Sequence, residues 1–424
     1  MVLTTACDNY DDIVPEKYNK IVSLKEYGEV NMTLYSTGLP TEHSITILKG
    51  GADPMLEAHV KLSGMNDVQF SDYLEETGHS YLRLPDECYY FAETDFDFGP
   101  DERYKVTKVY IDADKVAPLI ENQTDEETYV IPLILTSEND SILSTANNLI
   151  FKIEEVVVPS VSFSSNTTTG GYTKELSSEG GIVSIPLKMQ IDNQWDFDVR
   201  VEVDPATTNL TSSAYTLLND GKVSFDAASS TAYLQVQMNG LEHIIGKLGL
   251  KITAVEGMAF DYDKDAFQLT VKKEKYPLTI DNLYTNAQEP SEGPLANILD
   301  GSVSTFFHTA WSVSVSGSHY VEVTLPTAFK RFVFEYTNRQ ANGNAALANF
   351  NVLAGPDKNN LTQLRNFTTD ADGLPTGGAG SYTSPEMVLS DYGLADAKVI
   401  RFVCVKNYTN GIFWVWSTFT LRVL

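Results

Sequence analysis

An all-β chain of three β-sandwiches in series is what this sequence predicts, and three observations predict it. Apolar and polar residues alternate with period 2 at Val106-Thr-Lys-Val-Tyr-Ile-Asp112, Val183-Ser-Ile-Pro-Leu-Lys-Met189, Val199-Arg-Val-Glu-Val203, Ala232-Tyr-Leu-Gln-Val-Gln-Met238 and Tyr320-Val-Glu-Val-Thr-Leu325. Such runs form strands that bury one face. Turn signals such as Gly170-Gly171, Asn219-Asp-Gly221 and Gly377-Gly378 punctuate the chain, at the spacing of roughly 8 to 12 residues that sandwiches show. Few windows carry a helical period. The third observation is a repeat.

Tyr81-Leu-Arg-Leu-Pro-Asp-Glu87, the alternating run after it and Tyr129-Val-Ile-Pro-Leu-Ile-Leu-Thr136 parallel Tyr215-Thr-Leu-Leu-Asn-Asp-Gly221, the 222–225 and 232–238 runs and Leu248-Gly-Leu-Lys-Ile-Thr253. Two copies of one strand order follow. The first unit spans 21–155, behind an anchor and tether over 1–20. The second spans 156–277, opening at Val156-Val-Val-Pro159 and closing at the basic run before Pro277. A third domain remains at 278–424.

Composition excludes several functions. With 30 basic against 57 acidic residues the formal charge is −27, which repels phosphate backbones, so no nucleic-acid partner is expected. No apolar run approaches the roughly 18 residues that span a bilayer. The three cysteines, Cys7, Cys88 and Cys404, suit neither a zinc site nor a disulfide framework; Cys88 and Cys404 read as small buried apolar side chains. Phosphate-loop, nucleophile-elbow and zinc-helix motifs are missing and the histidines are dispersed, so no enzyme activity and no cofactor are expected. Asp261-Tyr-Asp-Lys-Asp265 opens like a calcium loop, but Ala266 and Lys272 stand where that loop needs Gly and Glu, which leaves a solvated acidic turn. Residues 93–102, equally acidic, read as a solvated loop anchored by Phe96 and Phe98.

The third domain carries the strongest signal. Asn297-Ile-Leu-Asp-Gly-Ser-Val-Ser-Thr-Phe-Phe-His-Thr-Ala-Trp-Ser312, His319-Tyr-Val-Glu-Val-Thr-Leu-Pro326, Phe332-Val-Phe-Glu-Tyr336, Phe350-Asn-Val-Leu-Ala-Gly-Pro356 and Ile400-Arg-Phe-Val-Cys-Val405 resemble, in that order, the discoidin or coagulation factor V/VIII type C domain, which includes the family 32 carbohydrate-binding modules. The resemblance implies a jelly roll whose loops at one end bind ligand. It also implies that His308 and Trp311 lie at a sugar-binding edge and that Arg339, on the next loop, supplies a basic donor. That chemistry suits a pyranose, whose C–H face stacks on indole and whose hydroxyls take fixed hydrogen bonds. Trp414 and Trp416 offer either a second platform or, by alternation with Ile412, core packing. The family's calcium loop is here Asp300-Gly-Ser-Val-Ser-Thr305, where Ser302 replaces an Asp and Thr418 stands at the position of a Glu, so no metal is expected and a hydrogen-bonded turn takes its place.

Val2-Leu-Thr-Thr-Ala-Cys7 followed by Asp8-Asn-Tyr-Asp-Asp12 resembles the end of a bacterial lipoprotein signal, with the acidic export stretch of Bacteroidetes surface lipoproteins. The resemblance implies lipidation of Cys7 and an outer-membrane, cell-surface location. The two N-terminal units resemble the immunoglobulin-like domains of polysaccharide-utilisation lipoproteins. The expected protein is a non-catalytic surface lipoprotein that captures a glycan ligand for a neighbouring importer or glycosidase. The alternative is an adhesin or structural protein whose discoidin domain binds a protein partner; exposed aromatics at the 308–311 and 339 loops separate the two.

Overall fold

The computed structural model describes residues 16–122, 127–341 and 343–424; Cys7 and the lipidation expectation lie outside them. Among the described residues three large hydrophobic cores form in chain order, drawn from residues 22–153, 161–271 and 283–421, with a small fourth cluster of Met65, Phe70, Val130 and Ile150 in the first unit. The fold is all-β. No helix among the described residues is long and apolar enough to cross a membrane.

The first unit packs a sheet ordered Ser141–Ile142, Ile21–Leu24, Thr41–Gly50, Tyr104–Ile111, Tyr89–Phe91 on one ordered Gly28–Tyr35, Asn148–Val157, Thr128–Thr136, Ala58–Gly64, Asp95–Phe98. In the second unit the orders are Asp261–Tyr262, Ser160–Phe163, Gly181–Met189, Thr231–Met238, Tyr215–Leu217 and Tyr172–Leu176, Phe267–Lys273, Ile245–Glu256, Phe197–Asp204, Lys222–Phe225. Position by position the two sandwiches agree. They share even the parallel pairings made where each unit's opening segment divides between its two sheets.

Three sequence readings need correction here. Tyr81 and Tyr215 are not equivalent: Tyr81–Arg83 lies parallel to Thr128–Thr136, whereas Tyr215–Leu217 is antiparallel to Thr231–Met238. The place of the latter is taken by Tyr89–Phe91, because the first unit inserts helix Asp67–Thr77 and the 81–83 strand ahead of it. That helix is the second difference. Asn66 and Gln69 form a capping box and Gly78 ends it at φ 74°, the start and stop devices of an ordinary helix. Phe70 alone is buried, so no apolar stripe advertises it. Third, residues 95–98 are an edge strand on Ala58–Gly64, with Phe96 and Phe98 facing the core. Cys88 and Cys404 are buried, and burial pushes the Cys404 thiol up to about 12.

In the third unit a five-stranded sheet, Leu283–Thr285, Tyr320–Phe329, Ala397–Asn407, Leu347–Asp357, Asn360–Thr368, faces a smaller one built on Arg331–Thr337 and Thr418–Val423. A two-stranded ribbon of Phe307–His308 with Val415–Trp416 closes one end. An aromatic cluster fills the space between: Trp416 stacks on Tyr336 and Phe419, and Phe334 meets Phe350, Phe367 and Phe402.

The second and third units are bolted together. Buried Arg422, at 3% exposure, reaches from strand Thr418–Val423 to donate to the Lys273 carbonyl and to Glu175 Oε1 (2.6 Å). Glu386 accepts from the Ile244 amide (3.1 Å), pairs with His243 and lies beside Arg331. Between the first and second units the described contacts include an edge-to-face Tyr35–Trp195 pair and one hydrogen bond from the Ala259 amide to the Thr37 carbonyl. Removing a buried cation strands its partners, so Arg422→Ala should lower stability by about 2 kcal/mol, less than for a fully desolvated pair because Glu175 is half exposed. Thermal unfolding of the full chain measures it; an unchanged transition would show that the joint is not held by Arg422.

Candidate functional site

Residues 287–292 run beside the 307–311 segment, tied to it by the Ala310 amide to Ala287, the Glu289 amide to His308 and the His308 amide to Gly293. Gly293 sits at φ 62° with its missing side chain's space filled by the His308 backbone, 2.8 Å from where a Cβ would lie, so only glycine allows this approach. On the other side the Thr309 amide donates to the Trp414 carbonyl, and the Trp414 amide donates to Thr309 Oγ1 (2.7 Å). His308 and Trp311 are thus presented by a corner braced from both flanks.

Glu289 is the brace. Its carboxylate, 2% exposed, accepts from the Trp311 and Ser312 amides (2.9 and 3.0 Å) and from the Ser291 and Ser312 hydroxyls. Burial alone would push its carboxyl up; the hydrogen bonds outweigh that and hold it well below the usual carboxylate range. A depressed folded pKa stabilises the fold above the unfolded value and loses that stability as pH falls. Glu289→Gln should therefore be less stable than wild type at neutral pH, with the gap narrowing below about pH 4. Melting curves from pH 7 to pH 3, a range that crosses the roughly pH 4.3 of an unfolded Glu, give the answer; a pH-independent gap would contradict it.

Trp311 projects outward, 54% exposed, and donates from Nε1 to Glu292 Oε1 (3.1 Å). His308 is buried, its ring stacked on Phe413 and tilted against Trp311. Its Nδ1 lies 2.6 Å from the Thr309 carbonyl, which can only accept, so the proton sits on Nδ1 and Nε2 is an acceptor. Burial lowers the His308 pKa, keeping the ring neutral. Glu292, His308, Trp311, Asn344, Thr409 and Phe413 line a concavity of about 370 Å³. An exposed indole, a neutral imidazole acceptor and a carboxylate acceptor can stack a sugar ring and take hydrogen bonds from its hydroxyls.

Of the four residues expected to bind, His308 and Trp311 come together here. Arg339 does not line the concavity: its guanidinium carbon sits over the Phe306 ring, 3.6 Å from the centroid, with no ion pair among the described residues. Trp414 is a correction. It is fully buried, packed edge-on against Phe307 and Trp416, and Phe413 is the neighbour that reaches the site. Glu289 and Glu292 escaped sequence reading, since two Glu in a Pro/Ser/Gly loop carry no spacing signal.

The Asp300 loop is closed by hydrogen bonds: Asp300 accepts from the Ser302 amide (2.8 Å) and Thr305 Oγ1 (2.7 Å), and Ser302 meets Ser304. Serine and threonine hydroxyls occupy the places where calcium needs carboxylates, so the loop does not fit that ion. Chelation by EDTA should leave the melting temperature of the third unit unchanged; a fall reversed by Ca²⁺ would contradict this. A larger concavity of about 430 Å³ on the first unit is lined by Lys20, His59, Asp97 and Asp140. These pair with one another, Lys20 with Asp140 and His59 with Asp97, and no exposed aromatic lines it.

Two family models match the chain. Residues 283–418 match the F5/8 type C domain, in keeping with the discoidin-like jelly roll of the third unit, and residues 16–142 match a model for an N-terminal domain. No curated protein matches the chain. Similar solved structures include the family 32 carbohydrate-binding module of C. perfringens NanJ in complex with galactose, at 17% identity over 35% of this chain and 96% of that one, TM-score 0.27. A chitobiase C-terminal domain from Bacteroides fragilis is similar at 17% identity over 36% and 98%, TM-score 0.29. A two-domain protein of unknown function from Bacteroides fragilis is similar at 10% identity over 62% and 94%, TM-score 0.26.

Proposed function

We propose that this protein is a non-catalytic glycan-binding protein of the cell surface, whose discoidin domain captures polysaccharide or oligosaccharide for uptake. The observation that carries the reading is Trp311, an exposed indole held by a buried carboxylate beside a neutral His308 acceptor. What sets this indole apart is its place in one concavity with His308, Glu292 and Phe413, where a sugar ring can stack on it and give hydrogen bonds to the acceptors beside it. Both acceptors, His308 Nε2 and Glu292, favour neutral sugars over uronic acids, whose carboxylate Glu292 would repel. The two N-terminal sandwiches, with boundaries near 156 and 277, serve as a spacer; Cys7 serves as the lipid anchor, placing the domain near an importer or glycosidase at the outer membrane. A glycan array probed with the full chain tests the binding, with galactose, the ligand of the C. perfringens module, and galacturonic acid as the neutral and acidic members. Neutral glycans should bind; an array on which none binds, or only uronates bind, would overturn the reading.

A further inference from the structure

The discoidin domain has a second concavity next to the first, and it is slightly larger, about 390 Å³ against about 370 Å³. Their lining residues alternate along one turn, Thr409 in the first and its neighbours Tyr408 and Asn410 in the second. Asn344 and Thr409 belong to the first site, while Asn349 and the pair Tyr408 and Asn410 belong to the second. Only the turn at 407–411 and the short run from 345 to 348 separate them, and three residues span at most about 10 Å.

That turn is rigid. Asn407 is buried, and its side-chain oxygen accepts from the Thr409 amide and hydroxyl (2.9 Å each) and the Gly411 amide (2.7 Å), while its Nδ2 donates to the Phe413 carbonyl. The same Asn407 therefore fixes Phe413 and Thr409 in the first site and Tyr408 and Asn410 beside the second. Tyr408 is held in turn, its hydroxyl 2.7 Å from Thr369 Oγ1 and its amide donating to the Ala346 carbonyl.

The groove offers polar groups that the protein leaves unused. Lys406 and Asp370 make no ion pair or side-chain hydrogen bond among the described residues, and Asn349 spends only its oxygen, on Asn366, leaving its NH₂ free. An ammonium, a carboxylate and an amide around a fixed tyrosine, in an open groove, form the donor and acceptor set that sugar hydroxyls satisfy. A charged protein segment would meet opposed charges side by side. We infer that this groove is a second saccharide site, and that the discoidin domain binds a chain of linked sugars laid across the 407–411 turn from Trp311 to Lys406 and Asp370. The inference rests on the glycan reading above and extends it from a sugar to an oligosaccharide. Because the turn is already ordered, the second site adds affinity without an ordering cost.

The test is calorimetric titration of the full chain with galactose and with galacto-oligosaccharides of two to six units. Wild type should bind the longer members at least tenfold more tightly than galactose. The double variant Asp370→Asn, Lys406→Gln, both exposed positions, should lose that increment and keep the affinity for galactose, whereas Trp311→Ala should lose both. Equal affinity at every length, or a double variant indistinguishable from wild type, would overturn the second site and leave the first standing. A series in which nothing binds wild type would overturn both.

Discussion

Replacing Trp311 by Ala is expected to abolish glycan binding while the protein stays folded. The side chain is 54% exposed and makes one side-chain hydrogen bond, to Glu292, so its loss removes little buried area and should change stability by no more than about 0.5 kcal/mol. Binding suffers differently. One stacking surface and a few oriented acceptors support an affinity of about micromolar to millimolar. Losing the aromatic anchor costs at least about 2 kcal/mol, roughly 30-fold, which takes a millimolar site beyond detection. On repeating polymer the loss is partly masked, since several modules binding together raise apparent affinity without new contacts; monovalent oligosaccharide is the ligand to use. A variant that binds as wild type does would move the ligand surface elsewhere. Arg339→Ala, with its guanidinium parked on Phe306 outside the concavity, should weaken binding far less.

Trp414→Ala should do the reverse, with an even larger energy. Trp414 is fully buried among Phe307, Trp416 and the rest of the third core, and a buried Trp cut to Ala costs about 3–5 kcal/mol in lost transfer energy and cavity. For a unit of this size that lowers the melting temperature by about 10 °C, and the transition to follow is that of the third unit, because a three-unit chain need not melt in one step. Trp414→Phe separates packing from polarity. The indole Nε1 is buried with no hydrogen-bond partner among the described residues, a cost that phenylalanine removes, so this variant should recover most of the stability and bind glycan normally. If Trp414→Ala melted with wild type, the packing argument would fail.

These two tryptophans mark the limit of pattern reading. Alternation across Ile412, Trp414 and Trp416 suggested one shared side, yet Ile412 is 39% exposed while Trp414, Val415 and Trp416 are all buried. Val415–Trp416 is one strand of the end ribbon, and the residues pointing to its two faces are equally buried, so both faces meet protein. Period-2 reasoning assumes one wet face and fails wherever a strand is covered twice. The insertion in the first unit failed for a related reason: helix Asp67–Thr77 buries a single residue, and a periodicity needs several.

Sequence alone determined the features that depend on local chemistry. Alternation placed the long strands, because a half-buried strand must repeat every two residues. The hydroxyls of Ser302 and Thr305 beside Asp300 made a hydrogen-bonded turn the expectation, and the loop forms one, because donor chemistry is written in residue type. The ordered run from Asn297 to Val405 located the segment that matches the F5/8 type C domain and, within it, His308 and Trp311. Tertiary structure decided whatever depends on distant segments meeting: that Trp311 faces solvent and Trp414 does not, that Glu289 is spent bracing one corner, and that His308 is a neutral acceptor. It also decided that Arg422 locks two units across 149 residues, from strand Thr418–Val423 to Lys273. Burial and hydrogen-bond partnership are properties of pairs brought together by the fold, and no residue carries its partner's address in its own neighbourhood.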